Sequence, residues 1–409
     1  MRYFIWSVFL VAAFLAACSR PAKAPEGILF RDDLAFLKTH TSPVVLSAQD
    51  GLAQAVVSPD LQGRVMTSTA GGLEGASFGW INRELIASGE NNLHMNGFGG
   101  EDRFWLGPEG GQFSIFFKKD DPFDLDHWYT PPPINEGAFD VVSQEADRIH
   151  FRKAMHLQNY SGTEFDLEVN RTIRLLAAED VRALGIPVAE KIRMVAFASD
   201  NSITNTGPAA WTKETGLLSI WILGMFNPSP DTTIVIPFKP GSEEELGPAV
   251  NDTYFGKVPA DRLIVKDGIL FFSGDGNHRS KIGISPRRVK PFAGSYDAAH
   301  KVLTIVHLTD PEGAADYVNS MWEIQENPFG GDVINSYNDG PPAPGAKPLG
   351  PFYELESSSP AAALNPGETL THVHTTVHFQ GEDKALDGIA RRGFGVGLEE
   401  IKRALKTNR

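Results

Sequence analysis

The feature that most constrains this chain is a strand rhythm. From about Leu29 to Phe379, apolar runs rich in Val, Ile, Phe and Thr are closed again and again by Gly, Pro, Asn or Asp. Clear runs are Val44–Leu46, Ala55–Ser58, Phe113–Phe117, His150–His156, Asp166–Leu176, Lys191–Ser199, Leu217–Leu223, Leu263–Phe272, Val302–Leu308, Tyr317–Asn327, Phe352–Ser358 and Thr371–Phe379. In FDLEVNRTIRLL the polar Asp166, Glu168, Asn170, Thr172 and Arg174 alternate with the apolar Leu167, Val169, Ile173 and Leu175, and only Arg171 interrupts the apolar row. Period two sends one row to a core and the other to solvent or a groove. Helical spacing is confined to Leu398–Leu405, with Gly397 at its cap, and to a short VRALG segment at 181–185. The expectation is an all-β fold: one large antiparallel β-supersandwich over 29–383, two sheets face to face, closed by a C-terminal helical tail over 384–409.

Composition supports this and excludes one class of function. The 40 Gly and 28 Pro supply turns, and 409 residues suffice for a self-supporting core. The formal net charge is −14 and no Lys/Arg run exists, so a phosphate-tracking nucleic-acid binder is excluded. The Pro/Gly stretch Gly340–Pro351 reads as an ordered surface loop rather than a joint.

The N-terminus carries an address. Arg2, an apolar run from Tyr3 to Leu15 and small residues before Cys18 form a secretory signal over 1–17. Leu15-Ala16-Ala17-Cys18 resembles a bacterial lipobox, which implies lipid attachment at Cys18 and a tether over 18–28. Ser19 in place of Asp resembles the pattern of lipoproteins sent on to the outer membrane of Gram-negative bacteria. Cys18 is the only cysteine, so no intramolecular disulfide can form. The expected location is the cell envelope, with the membrane as a partner through the lipid.

Polar chemistry gathers in a few blocks. Residues 91–112, NNLHMNGFGGEDRFWLGPEGGQ, bring Glu101, Asp102, Arg103, Trp105 and Glu109 together between paired glycines. Trp105 can stack on a sugar ring while Arg103 and the carboxylates meet its hydroxyls; equally, the charges can pair with one another and the aromatics fill a core. Glu354 and Glu356 stand two apart and share one strand face, where a carboxyl pair can split its pKa values into an acid and a base. Glu323, Asp332, Asn338 and Asp339 form a second polar cluster, able to line the same groove and compatible with a divalent cation such as calcium, though without EF-hand spacing. No cofactor is otherwise called for. His372, His374 and His378 alternate along one strand, a spacing that suits either zinc or hydrogen bonding. His278 and His94, in loop-like settings, are the candidate acid/base imidazoles. P-loop, GxSxG, HExxH, GxGxxG and CxxC motifs are absent from the sequence.

The GGEDRFWLGPEGGQ block, the late YELESSSPAAALNPGETLTHVHTTVHF block and the early SPDLQGRVMTST together resemble the galactose mutarotase-like (aldose 1-epimerase-like) superfamily, and within it a group of bacterial envelope lipoproteins. The resemblance implies a concave sugar-binding face on a supersandwich. Leu355-Glu356-Ser357, upstream of Pro366-Gly367-Glu368, stands where the family places its glutamate base, which implies that role for Glu356. The stretch matching the family's histidine acid, Asn201–Leu223, holds no histidine, so His278 or His94 has to supply it. The expected function is thus an envelope-anchored carbohydrate-active protein, epimerase-like or glycoside-cleaving. The alternative is a non-catalytic glycan binder on the same platform. In the cleaving version Glu356 works with Glu101, Asp102, Glu109, Glu323 or Glu354, and Arg103, Trp105, Glu323 and Asn338 hold the carbohydrate. Oligomeric state is not legible.

Overall fold

A computed structural model describes residues 27–189, 192–310, 313 and 315–406. The leader and Cys18 lie outside the described residues. Eighteen strands, numbered in chain order, form three antiparallel sheets. A small sheet holds β1 (Val44–Ser47), β2 (Gln54–Ser58) and β3 (Arg64–Thr69). The largest, ten-stranded, runs from edge to edge as β11 (Leu263–Lys266), β12 (Ile269–Ser273), β10 (Thr232–Pro237), β14 (Phe292–Asp297), β15 (Val302–Leu308), β18 (Thr369–Gln380), β8 (Arg193–Asn205), β7 (Glu164–Leu175), β6 (Arg148–Gln158) and β5 (Asp140–Gln144). A five-stranded sheet, in the order β13 (Ser280–Ile284), β16 (Ile334–Asn338), β17 (Tyr353–Ser358), β9 (Ser219–Phe226) and β4 (Arg103–Gly107), stacks against it.

Period-two alternation builds the layers. Along β12, Leu270 and Phe272 join the core between the sheets, whereas Ile269 and Phe271 join a second core on the opposite face. That second core is roofed by two helices from the C-terminus, Asp383–Gly393 and Leu398–Ala404, through Leu386, Ile389, Leu398 and Ile401. The large sheet is therefore covered on both faces, and the tail belongs to its core. The last helix starts where the cap expectation put it, with Gly397 as N-cap, acids first and bases last.

Several expectations need correction. The Leu263–Phe272 run is two strands, broken by a two-residue turn at Asp267 (φ 51°) and Gly268 (φ 77°), left-handed backbone suited to a tight hairpin. Phe113–Phe117 and Tyr317–Asn327 are loops, not strands. Their apolar residues are there for packing: Phe113 stacks on Phe329 at 5.9 Å, and Phe117 meets Trp322 edge-on at 5.2 Å. An N-terminal helix, Phe30–His40, was not expected, although its Phe30, Leu34 and Leu37 recur at helical spacing and are buried. VRALG lies partly in a helix, Ala178–Ala183.

Candidate functional site

The five-stranded sheet has two unlike faces. Tyr353, Leu355 and Ser357 of β17 look inward: the Tyr353 hydroxyl bonds Ser295 of β14 at 2.8 Å, and Leu355 is in the core. Glu354 and Glu356 point the other way. Antiparallel register lines up their neighbours across the strands, with Lys281 opposite Tyr337, Tyr337 opposite Glu354 and Glu354 opposite Met225. In the next row Glu356 faces Leu223, which faces Arg103, and beyond it Trp221 faces Trp105. Over this face opens a cavity of about 290 Å³. Its walls include Trp105, Trp128, Trp221 and Trp322, four of the seven tryptophans, with His94, Arg279 and the Gly340–Leu349 stretch at the mouth.

Two buried pairs, each a basic side chain bonded to a glutamate, form the floor. The Arg103 guanidinium donates to Glu354 at 3.1 Å and lies over the Trp105 ring, 4.0 Å from its centroid. Lys281 Nζ and Trp221 Nε1 both donate to Oε2 of Glu356, at 3.0 and 2.9 Å, while Oε1 of Glu356 takes no N–H donor. Burial pushes the Glu354 carboxyl up to about 8; Arg103 opposes this, and the charge of Glu356 and a hydrogen bond to it push further the same way. The site thus favours the protonated form of Glu354, and the charge of Glu356 is one of the causes. Burial pulls the Lys281 ammonium down, but Glu356, Glu109 and Glu354 together hold it above its ordinary value. Burial also raises Glu109 and Asp339. Behind Lys281, Asp332 is raised to about 6 by burial and accepts from the Tyr254 hydroxyl at 2.6 Å.

The expected site residues divide. Glu354, Glu109, Arg103, Trp105 and His94 line the cavity. Glu356 sits just beneath the floor, 1% exposed, where it holds Lys281, Trp221 and Glu354 in place. His94 donates Nδ1–H to the Trp128 carbonyl at 2.6 Å and stacks on Tyr129, which leaves Nε2 as the ring nitrogen outside that bond.

Glu101 and Asp102 belong elsewhere, sealed between layers. Glu101 accepts from the Ser68 hydroxyl at 2.9 Å and from His378 Nε2 at 2.8 Å. Asp102 pairs with Arg171, the residue that interrupts the apolar row of β7, and accepts from Ser199 at 2.7 Å. The reason is local: Gly99 and Gly100, at φ 91° and 107°, turn the chain against the backbone of Trp80 and Val65, so the two acids enter the interior and only Arg103 reaches the outer face. Asn338 is also structural, bonded to Gly276 N at 2.8 Å and to the His278 carbonyl at 2.9 Å. Glu323 and His278 are exposed and do not line the cavity.

The alternating histidines hold no metal geometry. Among the described residues no group of three or more His, Cys, Asp or Glu is placed to share an ion. His372 and His374 instead share the Ser357 hydroxyl, each at 2.8 Å, and burial pulls them down to about 3 and about 4. Sequence reasoning missed Lys281, Arg279, Trp221 and Tyr337. The signal for Lys281 was a lone cation inside the apolar run SKIGI. No described helix is long and apolar enough to cross a membrane.

The fold has relatives among solved structures. An Escherichia coli K12 protein provisionally assigned as an aldose 1-epimerase superposes with a TM-score of 0.50 at 13% identity, covering 83% of this chain and 99% of its own. The Slr1438 protein of Synechocystis sp. PCC 6803 does so with a TM-score of 0.50 at 12% identity, covering 83% and 96%. At these identities the likeness is one of fold, the galactose mutarotase-like β-sandwich expected from the sequence. No curated protein matches the chain. A family model does match residues 29–405, essentially the whole described body, and the chain belongs to that family, the family of unknown function DUF6786.

Proposed function

We propose that the cavity binds a sugar and interconverts its anomers, with Glu354 as acid and His94 as base. The observation that carries this reading is a buried carboxyl, Glu354, on the floor of a tryptophan-walled cavity, where burial pushes it up to about 8. Indole faces suit the C–H face of a pyranose, and a neutral carboxylic acid can donate a proton to an ether oxygen that water protonates poorly. In the forward step His94 Nε2 takes the proton of the anomeric hydroxyl and Glu354 protonates the ring oxygen. The C1–O5 bond breaks as the C1=O1 bond forms. Rotation about C1–C2 and the reverse transfers close the ring on the other face and restore both residues. Glu356, tied to Lys281 and Trp221, fixes the position and proton of Glu354 rather than meeting the sugar.

Glycoside cleavage by this carboxyl pair is less well supported. Glu354 and Glu356 share one strand face, and Glu356 is sealed beneath the floor, 1% exposed, so it does not flank a bond lying in the cavity. A glycan-binding role without chemistry is the second reading, favoured by the tryptophan walls alone. NMR exchange of freshly dissolved aldoses separates the two. Catalysed anomer exchange should fall by about 100-fold or more in Glu354→Gln and in His94→Ala. Uncatalysed exchange in the wild type, with sugars still perturbing tryptophan fluorescence, would assign binding only.

The leader pattern supports export and lipid attachment at Cys18 as part of this proposal. Metabolic labelling with palmitate should mark the wild type and leave Cys18→Ser unlabelled, and fractionation should recover the wild type with outer membranes.

A further inference from the structure

The chain as a whole is strongly acidic, yet the cavity mouth is not. Its formal charge is −14, while Arg103, Lys281, Arg279 and Lys347 all line the cavity. Three of the four have a carboxyl partner: Arg103 meets Glu354 at 3.1 Å, Lys281 meets Glu356 at 3.0 Å and Lys347 meets Glu84 at 3.5 Å. Among the described residues the fourth, Arg279, is left without one, and a cation unpaired at the edge of a cavity attracts anions.

Arg279 is the sharpest part of this contrast. Its guanidinium carbon lies over the Phe255 ring, 3.6 Å from the centroid, on the cavity wall. Among the described residues no carboxylate comes within ion-pair distance of it, although Glu109 and Asp339 face it from further off. The ring contact anchors the guanidinium, and its N–H donors remain for a ligand. Arg103, by contrast, is already bonded to Glu354 and held over Trp105.

Resting on the sugar reading above, we infer that the ligand is an acidic saccharide, whose carboxylate, sulfate or phosphate group is taken by Arg279 at the cavity mouth while its ring lies among the tryptophans. A planar fork suits bidentate contact with any of these oxyanions, which is chemistry a lysine does not reproduce.

The test uses matched pairs on the full chain in detergent, with binding read by tryptophan fluorescence. The pairs are glucuronate against glucose, galacturonate against galactose, and glucose 6-phosphate and glucose 6-sulfate against glucose. At least one acidic member should bind about tenfold or more tighter than its neutral partner, as a charge-assisted hydrogen bond predicts. Which member does so identifies the anionic group. That ratio should collapse toward one in Arg279→Gln and recover only in part in Arg279→Lys. As a check independent of any variant's folding, raising salt should weaken the acidic ligand in the wild type and leave the neutral one nearly unchanged. Equal binding within every pair, or a preference that survives Arg279→Gln, overturns the inference while leaving the sugar reading intact. No binding by any saccharide overturns both.

Discussion

The two faces of the five-stranded sheet handle buried charge in opposite ways. On the inner face, Asp102 and Arg171 are enclosed, and Ser199, Asn201 and the Gly63 carbonyl take up their remaining hydrogen-bonding capacity. On the outer face, Arg103 with Glu354 and Lys281 with Glu356 are nearly as buried, yet they border a cavity and leave capacity unused: Oε1 of Glu356 and Nε of Arg103 have no protein N–H or acceptor partner. A closed network fixes how layers dock, and an open one can exchange protons with something that enters.

The largest test of this contrast is stability. Asp102→Ala leaves the Arg171 guanidinium buried without its counter-charge and should cost about 3–5 kcal/mol in urea unfolding. Glu354→Gln replaces a carboxyl whose folded value lies above neutral pH with an uncharged side chain, so it should cost no stability at pH 7 while activity falls by about 100-fold or more. Equal losses of stability in the two variants would remove the distinction between the faces.

The second test is pH, because the faces should fail at opposite ends. Buried His372 and His374 bind protons only near 3 and 4 when folded, against 6.5 for an ordinary histidine. The unfolded chain therefore holds more protons between those values, and stability is lost as pH falls through that window, by several kcal/mol if both contribute. Glu354 has the opposite sign. Its folded value near 8 lies above the ordinary 4.5, so the folded chain holds the extra proton and stability declines as pH rises between them. Replacing both histidines by Gln should flatten the acid limb alone, and Glu354→Gln the alkaline limb alone.

How much of this was legible follows from how local each cause is. The side-by-side placement of Glu354 and Glu356 could be read from a two-residue spacing, because β17 is regular. The separation of Glu101 and Asp102 from Arg103 could not, since it depends on a left-handed turn at Gly99-Gly100 and on Arg171, 69 residues away. Arg171 itself was visible as an interruption in an apolar row, a sign that something buried must answer its charge. The loops at 113–117 and 317–327 looked like strands because aromatic packing around a site and burial in a sheet leave the same composition. Arg279 and Lys281 passed unnoticed beside His278, although a cation inside SKIGI breaks its apolar run much as Arg171 breaks that of β7.

The smallest effect probes the tie between Glu356 and its neighbours. Trp221→Phe keeps an aromatic wall but removes the N–H that bonds Oε2 of Glu356, leaving Lys281 as its N–H donor. A carboxylate with fewer donors draws harder on the proton of Glu354, so the value near 8 should rise and the alkaline limb of the activity profile should shift upward by about half a unit to one unit. Sugar affinity should fall only slightly, because the stacking face persists. If the limb moves downward or stays fixed, Glu356 does not set the proton on Glu354, and the outer face would be as closed in function as the inner one.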